Sequence, residues 1–428
     1  MSQQTREARA TDANALPRWG AFGYPNYRRY WLASLVRVFA LQFRIIGVPW
    51  LVATELGGSP LWVGVVALSQ AIPTIVLSVP AGSLADRVDN RRLMIWSNSI
   101  SGLFYLLLAI LVATEVVELW MVIAWSLCTG ALAASVAPAQ QAILPQLIDM
   151  RAIASAVALN SSIWNSMRIV GPAAAGVIIA VLGVGQAFFV TTVGYAIATV
   201  LLISLKTNPR ARRPGDDAAG GMLEGARYIF RHRLFLAVIG LSFFTSIFGG
   251  SYQVLLPFFA EDILGVGAVG FGLLEVAAGT GAILGTLAII KLGASQYRGI
   301  VILSGAAVFG LFVAAFSRSE YMPLSMAMLF GAGFASGIYL NLGMTALQLL
   351  VPDELRGRVM GIWSMTWFLA SVGGFFAGVA AEFLGTQLTV ALGGLSVAAF
   401  ALLLLAVSSE LRTLPSTERT DIARAPAG

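Results

Sequence analysis

The stretch "GSLADRVDNRR", Gly82–Arg92, sets two acids and three arginines inside seven residues, Asp86 to Arg92. On one side runs "LWVGVVALSQAIPTIVLSVPA" (61–81), and on the other "LMIWSNSISGLFYLLLAILVAT" (93–114). Each apolar run is about as long as a helix that crosses the hydrocarbon of a bilayer, roughly 20 residues. A charged turn between two such runs reads as a loop at a membrane surface, and the rest of the chain repeats the pattern.

Of 428 residues, 58% are hydrophobic and 11% are charged. Soluble domains carry about 25% charged residues. One Cys (Cys128) excludes an internal disulfide, and one His (His232) in a basic stretch leaves no cluster for metal binding or His-based catalysis. The net charge of +6 would suit nucleic acid only on a soluble face. Here the charges punctuate apolar runs, so no nucleic acid, cofactor or metal is expected. No nucleotide loop of the G-x-x-x-x-G-K-[ST] type occurs, which argues against a primary pump.

Twelve apolar segments fall at about 30–53, 61–81, 93–114, 117–138, 155–181, 184–205, 234–259, 268–290, 299–317, 322–350, 359–382 and 386–407. None alternates with the period of two that a barrel wall requires. The expected fold is all-α, with twelve transmembrane helices in two six-helix bundles. The expected divisions are an N-terminal segment (1–29), a first bundle (30–205), a linker (206–233), a second bundle (234–407) and a tail (408–428). With the N-terminus inside, 23 of the 27 basic residues lie on the cytoplasmic side and only Arg318 on the other; Arg37, Arg44 and Arg168 fall within helices. That bias predicts a cell-membrane protein with both ends in the cytoplasm. In the linker, Leu223, Ala226 and Phe230 would form the lipid-facing side of a surface helix, opposite Glu224, Arg227 and Arg231.

The halves also resemble each other. "PWLVATELGGSPLWVG" sets Pro49 fifteen residues before Gly64, and "PFFAEDILGVGAVGFG" sets Pro257 fifteen residues before Gly272, 208 residues further on. "LIDMRAIASA" (147–156) and "PDELRGRVMG" (352–361) share an acid, an aliphatic and an Arg. Parallel halves of this kind are a recurring transporter design.

In the opening stretch, Gly82 permits a tight exit from the second segment. Asp86 is placed to accept hydrogen bonds at a neighbouring helix N-terminus. Arg87, Arg91 and Arg92 can hold carboxylates or lipid phosphates. "GSLADRVDNRR" resembles the loop signature of the major facilitator superfamily, Gly-x-Leu-x-Asp-Arg-x-Gly-Arg-Arg, with Asp89 at the usual Gly and Asn90 at a usual Arg. "QAILPQLIDMRAIASAVALNSS" (141–162) and "MRIVGPAAAGVII" (167–179) are similar to the branch containing bacterial multidrug, macrolide and siderophore exporters. The resemblance implies a conformational latch at Gly82, Asp86 and Arg87, with Arg91 and Arg92 completing the charged set. It also implies export.

Close helix crossings are expected at Gly171, Pro172, Gly281, Gly285, Gly374 and Gly378, where small residues let backbones approach and Pro172 can kink its helix. Gly333 and Gly337 add to these. An Arg or Asp at a helix centre costs about 2.5–3.5 kcal/mol on insertion scales and marks a cavity or a partner. Arg37 and Arg44 are two turns apart on one face. Counted by depth, Arg44 rather than Arg168 is the expected partner of Glu275. Glu275 is the candidate proton carrier, and Gln253 and Asn341 are neutral candidates. The expected activity is proton-coupled export of an amphipathic small molecule by a monomer in the bilayer, without enzymatic chemistry. The alternatives are a lipid or lysolipid flippase on the same fold, or a non-transporting membrane sensor.

Overall fold

The computed structural model describes residues 20–206, 218–292, 297–408 and 412. Among them are twelve helices long and apolar enough to cross a membrane. They are α1 (Pro25–Glu55), α2 (Pro60–Arg87), α3 (Asn90–Ala113), α4 (Leu119–Leu147), α5 (Met150–Leu182), α6 (Val184–Ile203), α7 (Arg233–Ile263), α8 (Gly267–Leu292), α9 (Arg298–Phe316), α10 (Met322–Leu350), α11 (Asp353–Leu384) and α12 (Thr386–Val407). The first and last spans begin and end on one face, here called the terminal face.

Local chemistry sets the breaks. Pro60 opens α2 at the helix start, where its missing N–H costs nothing. Gly183 and Gly385, with φ of 93° and 79°, separate α5 from α6 and α11 from α12 in a conformation that disfavours a side chain. The α2–α3 connection is shorter than expected. The helix does not leave at Gly82 but continues to Arg87, and Val88 is extended. Asp89 then caps α3, its carboxylate accepting from the Arg91 N–H at 2.9 Å.

The spans pack in two matching sets. In the first, α1 lies against α5 and α6, α2 against α4, and α3 against α4 and α6; in the second, α7 lies against α11 and α12, α8 against α10, and α9 against α10 and α12. The match extends to single hydrogen bonds. Both first spans end in a wide turn, Leu51–Glu55 and Phe259–Ile263. The Leu56 N–H reaches the Leu51 carbonyl at 2.9 Å, and the Leu264 N–H reaches Phe259 at 2.9 Å. Gly57 and Gly265 follow with φ of 56° and 61°. Each of these pairs is 208 residues apart, the offset of the sequence repeat.

The sets meet along α2–α11 and α5–α8. At the face opposite the termini these crossings are backbone against backbone. A Cβ on Gly64 would stand 2.9 Å from the Gly374 carbonyl oxygen, and one on Gly378 2.5 Å from that of Pro60. In the other crossing, a Cβ on Gly272 would stand 2.5 Å from the Pro172 carbonyl oxygen, and one on Gly176 2.6 Å from that of Ala268. Toward the terminal face α2 and α11 part: the successive residues Val76, Leu77 and Ser78, on different sides of α2, are all exposed, and Gly82 and Gly361 each have open space around them. The molecule is shut at one face and splayed at the other.

The linker helix, Ala218–Arg231, packs on the start of α11. Glu224, expected on the side opposite the lipid, forms an ion pair with Arg358. Phe230 is exposed, Ile229 is buried, and the side chain of Leu223 lies outside the described residues. Gly225 lets the Arg358 backbone come close.

Candidate functional site

Two polar centres lie at the level of the membrane interior. The first is a cavity of about 220 Å³ lined by all six spans of the first set and none of the second. α1 contributes Arg37 and Arg44, α2 contributes Gln70, α5 contributes Trp164 and α6 contributes Tyr195. On α3, Asn98, Ser101 and Tyr105 recur at helical spacing, and on α4 Thr129, Ala133 and Gln140 do the same. Tyr105 and Tyr195 stack obliquely, centroids 5.0 Å apart, beside the arginines. Arg37 is 7% exposed.

The second centre sits where α5 crosses α8, between the two sets. Glu275 lies there under the influence of the Arg168 charge, and Tyr252 on α7 lies within electrostatic reach of both. A Cβ on Gly279, one turn beyond Glu275, would stand 2.7 Å from the Arg168 carbonyl oxygen, so the two helices touch at this level. The arginine whose charge reaches Glu275 is therefore Arg168 and not Arg44, although no ion pair within 4 Å joins the two among the described residues. Depth was a sound guide to level but carried no information on direction around the helix. Arg44 points into the first set, whereas the α5–α8 crossing brings Arg168 to Glu275.

The neutral candidates divide. Gln70 and Asn98 line the cavity. Asn341 donates from Nδ2 to the Gly337 carbonyl at 2.8 Å and to Thr286 Oγ1 at 3.1 Å, tying α10 to α8. Gln253 is exposed on α7 next to Tyr252. Gln42 donates to the Met167 carbonyl at 2.6 Å and fills the notch left by Gly171.

The small residues also divide. Gly171 brings α1 to α5, and Gly281 and Gly285 bring α8 to the α10 backbone at Phe330 and Phe334, all within one set. Gly374, Gly378 and Pro172 lie at the crossings between sets. Their counterparts Gly64, Gly176 and Gly272 complete those crossings. Gly64 and Gly272 entered the sequence reading only as repeat markers, and the small-residue spacing from Pro172 to Gly176 was the available signal.

In the charged stretch, the side chains of Asp86 and Arg87 lie outside the described residues. Arg91 donates to the last carbonyls of α6, Leu202 at 3.1 Å and Ile203. Arg92 lies 3.7 Å from Asp89 in an exposed pair. Both arginines stay on the first set.

The family model described as transmembrane secretion effector matches residues 17–426. The staphyloferrin A transporter of Staphylococcus aureus is 26% identical, over 86% of this chain and 92% of that one. The enterobactin exporter EntS of Shigella boydii is 24% identical, over 92% of this chain and 94% of its own length. Among solved structures, a bacterial homolog of the human lysosomal transporter Spinster superposes with a TM-score of 0.67 at 14% identity, covering 91% of this chain and 97% of that one.

Proposed function

Because this chain belongs to the transmembrane secretion effector family, a group of major facilitator transporters, we propose that it exports an amphipathic small molecule by alternating access, driven by protons carried on Glu275. The halves are taken as 30–205 and 234–407, and the terminal face as cytoplasmic, in keeping with the positive-inside bias. On that assignment the molecule stands open to the cytoplasm and sealed to the outside.

The observation that carries the reading is the placement of Glu275 within reach of the Arg168 charge where α5 touches α8, between the sets. An acid and a base facing each other across a sliding contact respond to its opening. With the helices together, the guanidinium charge favours the carboxylate and opposes the effect of its burial. When the helices part, the carboxyl loses that partner in a poorly solvated place, and the protonated form is favoured. Proton binding and conformation are thereby linked, and linkage is reciprocal. The direction of transport is supported by the likeness to the enterobactin exporter EntS.

The test is efflux of a drug, dye and siderophore panel from proteoliposomes, with and without an imposed pH gradient. Glu275→Gln is expected to abolish the gradient-driven component while leaving cargo binding and counterflow. Gradient-driven transport that persists in Glu275→Gln with unchanged pH dependence overturns the coupling. Absence of movement for every cargo overturns the exporter reading.

A further inference from the structure

The cavity inside the first set has a charge pattern that proton coupling does not use. Arg37 and Arg44 stand on its wall, and none of the lining residues is acidic. Among the described residues neither guanidinium forms an ion pair with a carboxylate. Arg37 is 7% exposed, and the buried Nε of Arg44 has no hydrogen-bond partner. A buried charge without a counter-charge is destabilising by several kcal/mol unless something else compensates it.

The fold itself does not demand these cations. The repeat offset of 208 residues puts Tyr252 at the place of Arg44 in α7, and Thr245, which opens a wide turn (Thr245–Gly249) that α1 lacks, next to that of Arg37. Both are buried and uncharged, and α7 packs on α11 and α12 as α1 packs on α5 and α6. The second set makes the same bundle with neutral residues, so the two arginines answer to a ligand. A guanidinium presents a planar fork of donors that matches an oxyanion. Seven residues of helix separate them by about 10 Å along the axis, so their long side chains can grip one anionic group from above and below. Trp164, 46% exposed, offers an aromatic face on the same wall.

We propose that this cavity binds the carboxylate of an organic anion, held between Arg37 and Arg44 with its apolar body against Trp164. The proposal rests on the transporter reading and names the charge class of its cargo. An anionic phospholipid headgroup presents a similar oxyanion and is the alternative occupant.

Three probes with one aromatic body separate the possibilities: 2-naphthoate, 2-naphthamide and 2-naphthylmethylammonium. Binding is measured by equilibrium dialysis on the full chain in nanodiscs of phosphatidylcholine. The naphthoate is expected to bind at least tenfold tighter than the other two. Arg37→Gln and Arg44→Gln are each expected to erase that preference. Arg44→Lys, which keeps the charge and loses the fork, is expected to retain the preference at several-fold lower affinity, and it serves if the Gln variants do not fold. Equal binding of the three probes, or binding of none of them, overturns the proposal. Loss of naphthoate binding in discs containing phosphatidylglycerol overturns it in favour of the headgroup. Counterflow of the drug and dye panel by the same preparation is scored separately. If counterflow persists without anion preference, this inference fails alone; if counterflow is absent, the transporter reading fails as well.

Discussion

Glu275 and Arg91 show how far a single position can be read. Glu275 announced itself by its expense, since an acid inside an apolar run has to be compensated. Its partner did not, because two arginines lay at plausible depths and only the crossing of α5 with α8 selects Arg168. Arg91 was legible as basic and interfacial, but its ligands are carbonyls of α6, 111 and 112 residues away, and no local pattern encodes them. The geometry separates it from its neighbour Arg92. Arg91 satisfies the exposed end of α6 and complements its dipole, whereas Arg92 makes one exposed pair. Arg91→Ala is expected to destabilise the protein by about 1–2 kcal/mol, since hydrogen bonds to charged groups contribute on that order. Arg92→Ala is expected to stay within about 0.5 kcal/mol of the wild type. Thermal unfolding of the two purified variants checks both, and equal losses would refute the cap.

The helices were largely legible because their length and composition are imposed by the bilayer. What the apolar pattern could not give was where a helix continues into polar sequence. α2 runs past its apolar run to Arg87, and Gly82 lies inside it with nothing within 4 Å of a Cβ. A helical glycine in open space costs about 0.5–1 kcal/mol relative to alanine. Gly82→Ala is therefore expected to raise stability by that amount, and a loss of stability would show that the position needs glycine after all. The crossing glycines behave oppositely. Gly272→Leu puts a side chain onto the Pro172 carbonyl, which is backbone and cannot swing aside. It is expected to spread α5 from α8 and make the opposite face reactive to membrane-impermeant reagents, read with a cysteine probe at Leu61 in a Cys128→Ser background. Unchanged labelling would mean that the crossing is not the seal.

The whole molecule is two copies of one packing scheme, with the repeat visible in sequence as two Pro–Gly frames and in structure as two identically bonded wide turns. The asymmetry between the copies was less legible, since it emerges only when Arg37 and Arg44 are set against Thr245 and Tyr252 at the same offset. The splayed terminal face gives a direct test of movement. Val76 on α2 and Trp367 on α11 are 66% and 67% exposed. Spin labels at Val76→Cys and Trp367→Cys, again in Cys128→Ser, are expected to draw together when cargo and an imposed proton gradient favour closure of that face. A single unchanging distance under every condition would refute rocking of the two sets.

The glycine crossings at the shut face have a further consequence. They are contacts of main chain on main chain, joined at the α2–α11 crossing by one charged group, the Glu382 carboxylate, which accepts from the Leu61 N–H at 3.4 Å. Apart from that carboxylate, such a contact offers electrolyte nothing to screen and acid nothing to titrate. The ease of prising the α5–α8 crossing apart should thus change little with ionic strength, while the α2–α11 crossing keeps one acid-sensitive bond at Glu382. A gasket of this sort holds mainly by fit, and a single added methyl group is enough to make it leak.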